Sequence, residues 1–131
     1  MQEKSNLFNK NLKSMIHGIF DTGKAWFWND SKINSLIKYE IFGLNKLIAT
    51  KGNLLIFKHS HHLELDSRIL GMHCELYGVE RAHNSPFMQK VQSIGRLKGL
   101  NALADKNSPI TFIKWLKKNK TVLYAIDQDY G

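Results

Sequence analysis

Apolar side chains recur at Phe8, Leu12, Met15, Ile16, Ile19, Phe20, Trp26 and Phe27, a spacing that predicts an amphipathic helix over 5–28. Lys10, Lys13, His17, Asp21 and Lys24 fall mostly on its other side. Such a helix either packs on the domain's sheet or lies in a membrane interface, which Trp26 and Trp28 would suit. Gly23 weakens the helix and is expected to end or bend it near the aromatic cluster. Asn29-Asp30-Ser31 reads as a turn and cap. Residues 33–42 mix β-branched and aromatic side chains and predict a short strand before Gly43. A short helix over 44–50, closed by Lys51-Gly52, follows.

The continuous apolar run Leu54-Leu55-Ile56-Phe57 is too short for a helix and predicts a buried strand. It stops at Lys58-His59-Ser60-His61-His62-Leu63-Glu64, after which a helix is expected over 63–72 and a second strand over 75–81. Ser85-Pro86 and Ser108-Pro109 each place a capping hydroxyl before a proline at the first helical position. They predict helices over 86–95 and 109–118, the second with Ile110, Ile113 and Leu116 along one stripe. A last strand over 121–126 runs straight into Asp127-Gln128-Asp129-Tyr130-Gly131. Strands alternating with helices imply right-handed crossovers, hence an α/β fold with a mainly parallel sheet and flanking helices. No repeat or internal linker breaks the chain. It divides into a helical lead-in over 1–30 and an α/β core over 31–131 of one domain.

In a parallel sheet the strands over 54–58 and 121–126 end on one edge, where open α/β sheets place their chemistry. His59, Glu64, Asp127 and Asp129 are thereby expected around one cleft. His59 with Glu64 suits a general base and the carboxylate that fixes its tautomer and stabilises the imidazolium. Alternatively, His59, His61, His62, His73 and Cys74 could ligate zinc, but the regular Cys/His pairs of structural zinc sites are absent. Cys74 reads better as a small apolar filler than as a nucleophile. Asp127-Gln128-Asp129 also fits the Asp-x-Asp pattern of metal-dependent glycosyltransferases. Arg68 stands four residues after Glu64, the spacing of a within-helix ion pair. Arg81 and Arg96 are either surface residues or phosphate binders.

Composition narrows the function classes. With 131 residues, 43% hydrophobic and 23% charged, the chain is one folded domain. The single cysteine excludes an internal disulfide and suits a reducing compartment. No apolar run approaches the length needed to span a bilayer, and no signal peptide is visible. Nineteen Lys+Arg against eleven Asp+Glu give a net charge of +8. Only Arg68, Arg81 and Arg96 are arginines, so no arginine patch speaks for nucleic acid. Spread lysines suit a solvated surface or an anionic membrane. A non-catalytic membrane-surface binder is therefore the rival from outside enzymology.

Taken together, Ala25-Trp26-Phe27-Trp28, His59-Ser60-His61-His62-Leu63-Glu64-Leu65 with Arg68 and Gly71, Arg81 with His83-Asn84, Gly95-Arg96 and Asp127-Gln128-Asp129-Tyr130-Gly131 resemble one family in order and spacing. It is that of the bacterial lipid A late acyltransferases of lauroyl and myristoyl type, within the glycerolipid acyltransferase superfamily. The resemblance implies transfer of a fatty acyl group from acyl carrier protein to a hydroxyl of a lipid A precursor, without a cofactor or metal. His59 would take the hydroxyl proton and Glu64 would orient it. Arg96 and Arg81 would hold phosphate or developing negative charge, and Asp127, Gln128 and Asp129 would shape the cleft. The expected place is the cytoplasmic face of the bacterial inner membrane, bound peripherally to its anionic surface.

The chain departs from the family pattern at Ile126, where a proline is common. It departs again at Glu80-Arg81-Ala82, where Tyr-Arg-Pro is usual. Family members also extend beyond both ends, so the chain is expected to be an internal fragment with an incomplete acyltransferase fold. An exposed sheet edge and an unfinished acyl pocket would then leave it weakly active or inactive alone. Full-rate soluble enzyme from these 131 residues would refute that.

Overall fold

The computed structural model describes residues 2–58 and 62–125, with side chains from residue 6 onward. His59, the Asp127–Asp129 segment, and Ile126 at the end of the last predicted strand lie outside the described residues. The element order is α1 (Gln2–Phe27), α2 (Asp30–Leu36), α3 (Leu44–Ala49), β1 (Leu54–Phe57), α4 (Leu63–Gly71), β2 (Leu76–Glu80), α5 (Pro86–Arg96), β3 (Ala102–Asp105), α6 (Pro109–Lys117) and β4 (Thr121–Ala125). The four strands form one parallel sheet in the order β1-β4-β2-β3. The fold class is the expected α/β one. β1 and β4 run in register from Leu54↔Val122 to Phe57↔Ala125, so their carboxyl ends share an edge with the end of β2 at Glu80.

Side chains alternate across β2 as the pleat requires. Tyr77 faces α6, its ring 5.1 Å from Trp115, while Phe112 meets Tyr124 of β4 at 5.8 Å. Gly78 faces the other way, where an added Cβ would lie 2.6 Å from Leu100. Glu80 is in phase with Leu76 and Gly78, on the face covered by α5. A second apolar cluster joins Ala25, Ile33, Leu65 and Ile69, with Trp26, Trp28, Ile37, Tyr39, Ile41 and Met72 around it. It ties α1, α2 and α4 together.

The helix predicted over 5–28 forms, and it continues through Gly23 to Phe27 rather than ending there. Its principal neighbours are α4 and α5 rather than the sheet. Leu7, Phe8, Leu12, Met15, Ile16, Ile19 and Phe20 are all exposed. No helix among the described residues is long and apolar enough to cross a membrane.

In three further places the structure differs from, or adds to, the sequence reading. The strand expected over 33–42 is instead α2 followed by an extended segment outside the sheet. Asn29 starts that helix by accepting from the Lys32 amide at 2.9 Å, and Ile33 is then buried against α1 and α4. β3 was not foreseen because Ala-Leu-Ala-Asp lacks β-branched and aromatic residues, yet it pairs with β2 along its length. On α6, Ile110 and Ile113 are exposed, and the sheet is met by Phe112 and Trp115, whose rings offer more area to the strand aromatics.

Candidate active site

The carboxyl edge of the sheet opens into a cleft of about 630 Å³. Phe57, Tyr124 and Ala125 line it from the strand ends, with Glu64 from α4, Glu80 and Arg81 from β2 and beyond, and Arg96 from α5. Glu64 enters in the first turn of α4, where the helix dipole favours a carboxylate. Its Oε1 accepts from Arg96 Nε at 2.9 Å and also from Nη2. Its Oε2 accepts from Trp26 Nε1 at 3.0 Å.

Arg96 is a bridge. Its Nη1 donates to Glu80 Oε2 at 2.7 Å, so one guanidinium holds two carboxylates from different elements. Glu80 has further donors on α5. Gln89 Nε2 reaches Oε1 at 2.7 Å, and Gln92 Nε2 reaches Oε2 at 3.2 Å. Burial works against the charge on Arg96, but Glu64 and Glu80 outweigh it and raise its pKa above the usual arginine value. The triad's formal charge is one net negative, and its three side chains are largely shielded from solvent. Breaking such a partly buried group is costly, because each carboxylate would lose its counter-charge without gaining full hydration.

Around the start of α4, His62 Nδ1 donates to Asp21 Oδ2 of α1 at 2.6 Å, and Lys24 Nζ donates to Asp21 Oδ1 at 2.6 Å. Burial raises the Asp21 pKa, but Lys24 and His62 outweigh it and leave it lowered.

Of the residues expected in the site, Glu64, Arg81 and Arg96 come together in this cleft. Arg81 stands exposed on its wall. Arg68 does not pair with Glu64 along α4. It is buried and reaches Asp30 of α2 instead, leaving its Nε without a partner among the described residues. Arg96 takes the Glu64 carboxylate because α5 brings its guanidinium to that side of the cleft. His73 turns to Tyr39, 3.1 Å from its hydroxyl, and Cys74 Sγ lies 3.6 Å from the Leu70 carbonyl oxygen. Burial pushes the Cys74 thiol up, away from a nucleophilic thiolate. Among the described residues no group of three His, Cys, Asp or Glu side chains is placed to hold a metal ion.

Glu80 carried no role in the sequence reading, and Trp26 was read as an interface aromatic and part of the Ala25–Trp28 resemblance rather than as a partner of Glu64. Signals for Glu80 were present. It follows Leu76 and Gly78 at strand period, and Gln89, Gln92, Ser93 and Arg96 recur at i, i+3, i+4 and i+7 of α5, a polar stripe facing it. Trp26 left no comparable signal, because an aromatic at the end of an amphipathic helix reads as core or as interface.

A wholly parallel sheet with fixed charges at its carboxyl edge is the arrangement by which α/β proteins bind and transform ligands. Which α/β family this is follows from comparison with known proteins. The family description "Bacterial lipid A biosynthesis acyltransferase" matches residues 1–131, and the chain belongs to that family. A lipid A biosynthesis acyltransferase of Haemophilus influenzae is 36% identical over 98% of this chain and 42% of its own length. Two Escherichia coli proteins, a lipid A biosynthesis lauroyltransferase and a palmitoleoyltransferase, are 35% and 31% identical over 99% of this chain, each matched over 43% of its own length. The chain thus spans less than half the length of these relatives.

Proposed function

We propose that the chain acts in lipid A biosynthesis, moving a fatty acyl group from acyl carrier protein to a hydroxyl of a lipid A precursor. His59 is the general base and Glu64 its orienting carboxylate. The observation that carries the reading is Glu64, held as a fixed anion at the mouth of a cleft that begins where β1 ends. A carboxylate offers roughly four acceptor positions. Arg96 occupies two on Oε1 and Trp26 one on Oε2. The fourth is the one an imidazole N–H takes in this reading.

His59 removes the hydroxyl proton as that oxygen attacks the thioester carbonyl carbon. The tetrahedral intermediate collapses with loss of the carrier thiolate, which recovers the proton from the imidazolium. Thiolate leaves readily, so no acyl-enzyme is needed. Arg81 on the cleft wall supplies charge for a phosphate or for the developing oxyanion. Arg96 adds its field there, although its main work is to bracket Glu64. In this reading Asp127, Gln128 and Asp129 help to shape the cleft. Exposed apolar side chains on α1, with exposed Lys10 and Lys13 on the same helix, fit peripheral seating on the anionic cytoplasmic face of the inner membrane.

The test is transfer of labelled acyl groups from acyl carrier protein to a lipid A precursor, in detergent with EDTA, by wild type and His59→Ala. Transfer by wild type alone is expected. Equal transfer by both, or transfer abolished by EDTA, would remove the general-base reading.

A further inference from the structure

A glutamate carboxylate turns easily about its last torsion, which has broad, roughly two-fold preferences. Arg96 contacts only Oε1 of Glu64, and donors on one oxygen leave the other free to swing. The second restraint comes from α1, where Trp26 Nε1 donates to Oε2 at 3.0 Å. Trp26 is itself held. Its indole lies so close on α5 that a Cβ on Gly95 would sit 2.3 Å from Cγ and 2.5 Å from Cδ2. Ala25 beside it is fully buried, and one turn earlier Asp21 is clasped to His62 at the start of α4. Three elements thus fix one carboxylate, with α4 supplying it, α5 gripping one oxygen and α1 the other.

We propose that Trp26 is a positioning residue for the acyl transfer, its indole N–H setting the direction of Glu64 Oε2. The last turn of α1 then belongs to the catalytic machinery as well as to the membrane-facing lead-in. The proposal rests on the reading of Glu64 given above. It also explains why glycine stands at position 95: any side chain there would displace the indole and release Oε2.

Trp26→Phe keeps a ring over Gly95 but removes the donor together with part of the indole, so the comparison with a Glu64→Gln background is what separates positioning from packing. We expect kcat to fall about tenfold with KM for the acyl donor unchanged. In the Glu64→Gln background the same substitution should add no further loss, since Trp26 acts through that carboxylate. An equal loss in both backgrounds would mean a merely structural role and overturn the proposal. So would wild-type kcat in Trp26→Phe while Glu64→Gln is crippled, which leaves the general-base reading intact. Full turnover in Glu64→Gln would strike that reading, and this proposal with it. A readout independent of turnover is the indole N–H resonance that Trp26→Phe removes. It should move upfield in Glu64→Gln as a charged acceptor becomes neutral, and an unmoved resonance would refute the contact.

Discussion

β2 begins just after Glu75 and ends at Glu80, and each of these glutamates meets a cation at 2.7 Å. At the amino end of the sheet, the Glu75 side chain is 61% exposed and its partner Lys120 sits on the surface. At the carboxyl end, the Glu80 side chain is 7% exposed and its partner Arg96 also holds Glu64. Equal distances conceal different physics. Water and ions screen the first pair, and holding two mobile chains together cancels most of its attraction. The second has little water to compete with it, a planar fork in place of a flexible ammonium, and amide donors from α5 on the remaining lone pairs. Position relative to solvent, rather than the presence of a salt bridge, makes one end of the sheet a candidate site and the other a surface.

The contrast is most directly broken by Arg96→Ala. It leaves Glu64 and Glu80 without their shared cation and should cost about 3 kcal/mol in denaturant unfolding, together with loss of any transfer activity. Gly95→Ala should cost about 2 kcal/mol by driving Trp26 off α5, as expected for overpacking a close contact.

Asp21 gives a smaller, pH-dependent effect. Its folded pKa lies below the usual 3.8, so it contributes stability above that pH and loses it as pH falls through the depressed value. Asp21→Asn should therefore lower the urea midpoint at pH 6 and converge with wild type in strong acid. Smallest of all, Lys120→Ala should leave the midpoint unchanged within error at physiological salt. A loss there as large as that of Arg96→Ala would erase the distinction between the two ends.

Much of the frame was legible in the sequence because its signals are local. The two Ser-Pro starts, the run Leu54–Phe57 and the left-handed Gly43 and Gly52 around α3 mark elements without tertiary context. Where neighbours decide, the reading failed. Ala102–Asp105 is a strand because β2 offers it a ladder, and residues 37–41 stay out of the sheet because Ile37, Tyr39 and Ile41 pack on helices. The site divides in the same way. Glu64 and Arg96 could be singled out by type and motif. That Arg96 reaches Glu64 from 32 residues away, and that Arg68 turns to Asp30 instead, follows only from how α4, α5 and α2 pack.

The most direct test of this account is the single-turnover rate of acyl transfer by wild type and Glu64→Gln, each shown to be folded. Glutamine keeps the shape but offers one acceptor oxygen where Arg96 and Trp26 donate to two, and it carries no charge to stabilise an imidazolium. A loss of about a hundredfold or more is predicted. Equal rates would contradict it, reducing the Glu64–Arg96–Glu80 network to a structural clasp.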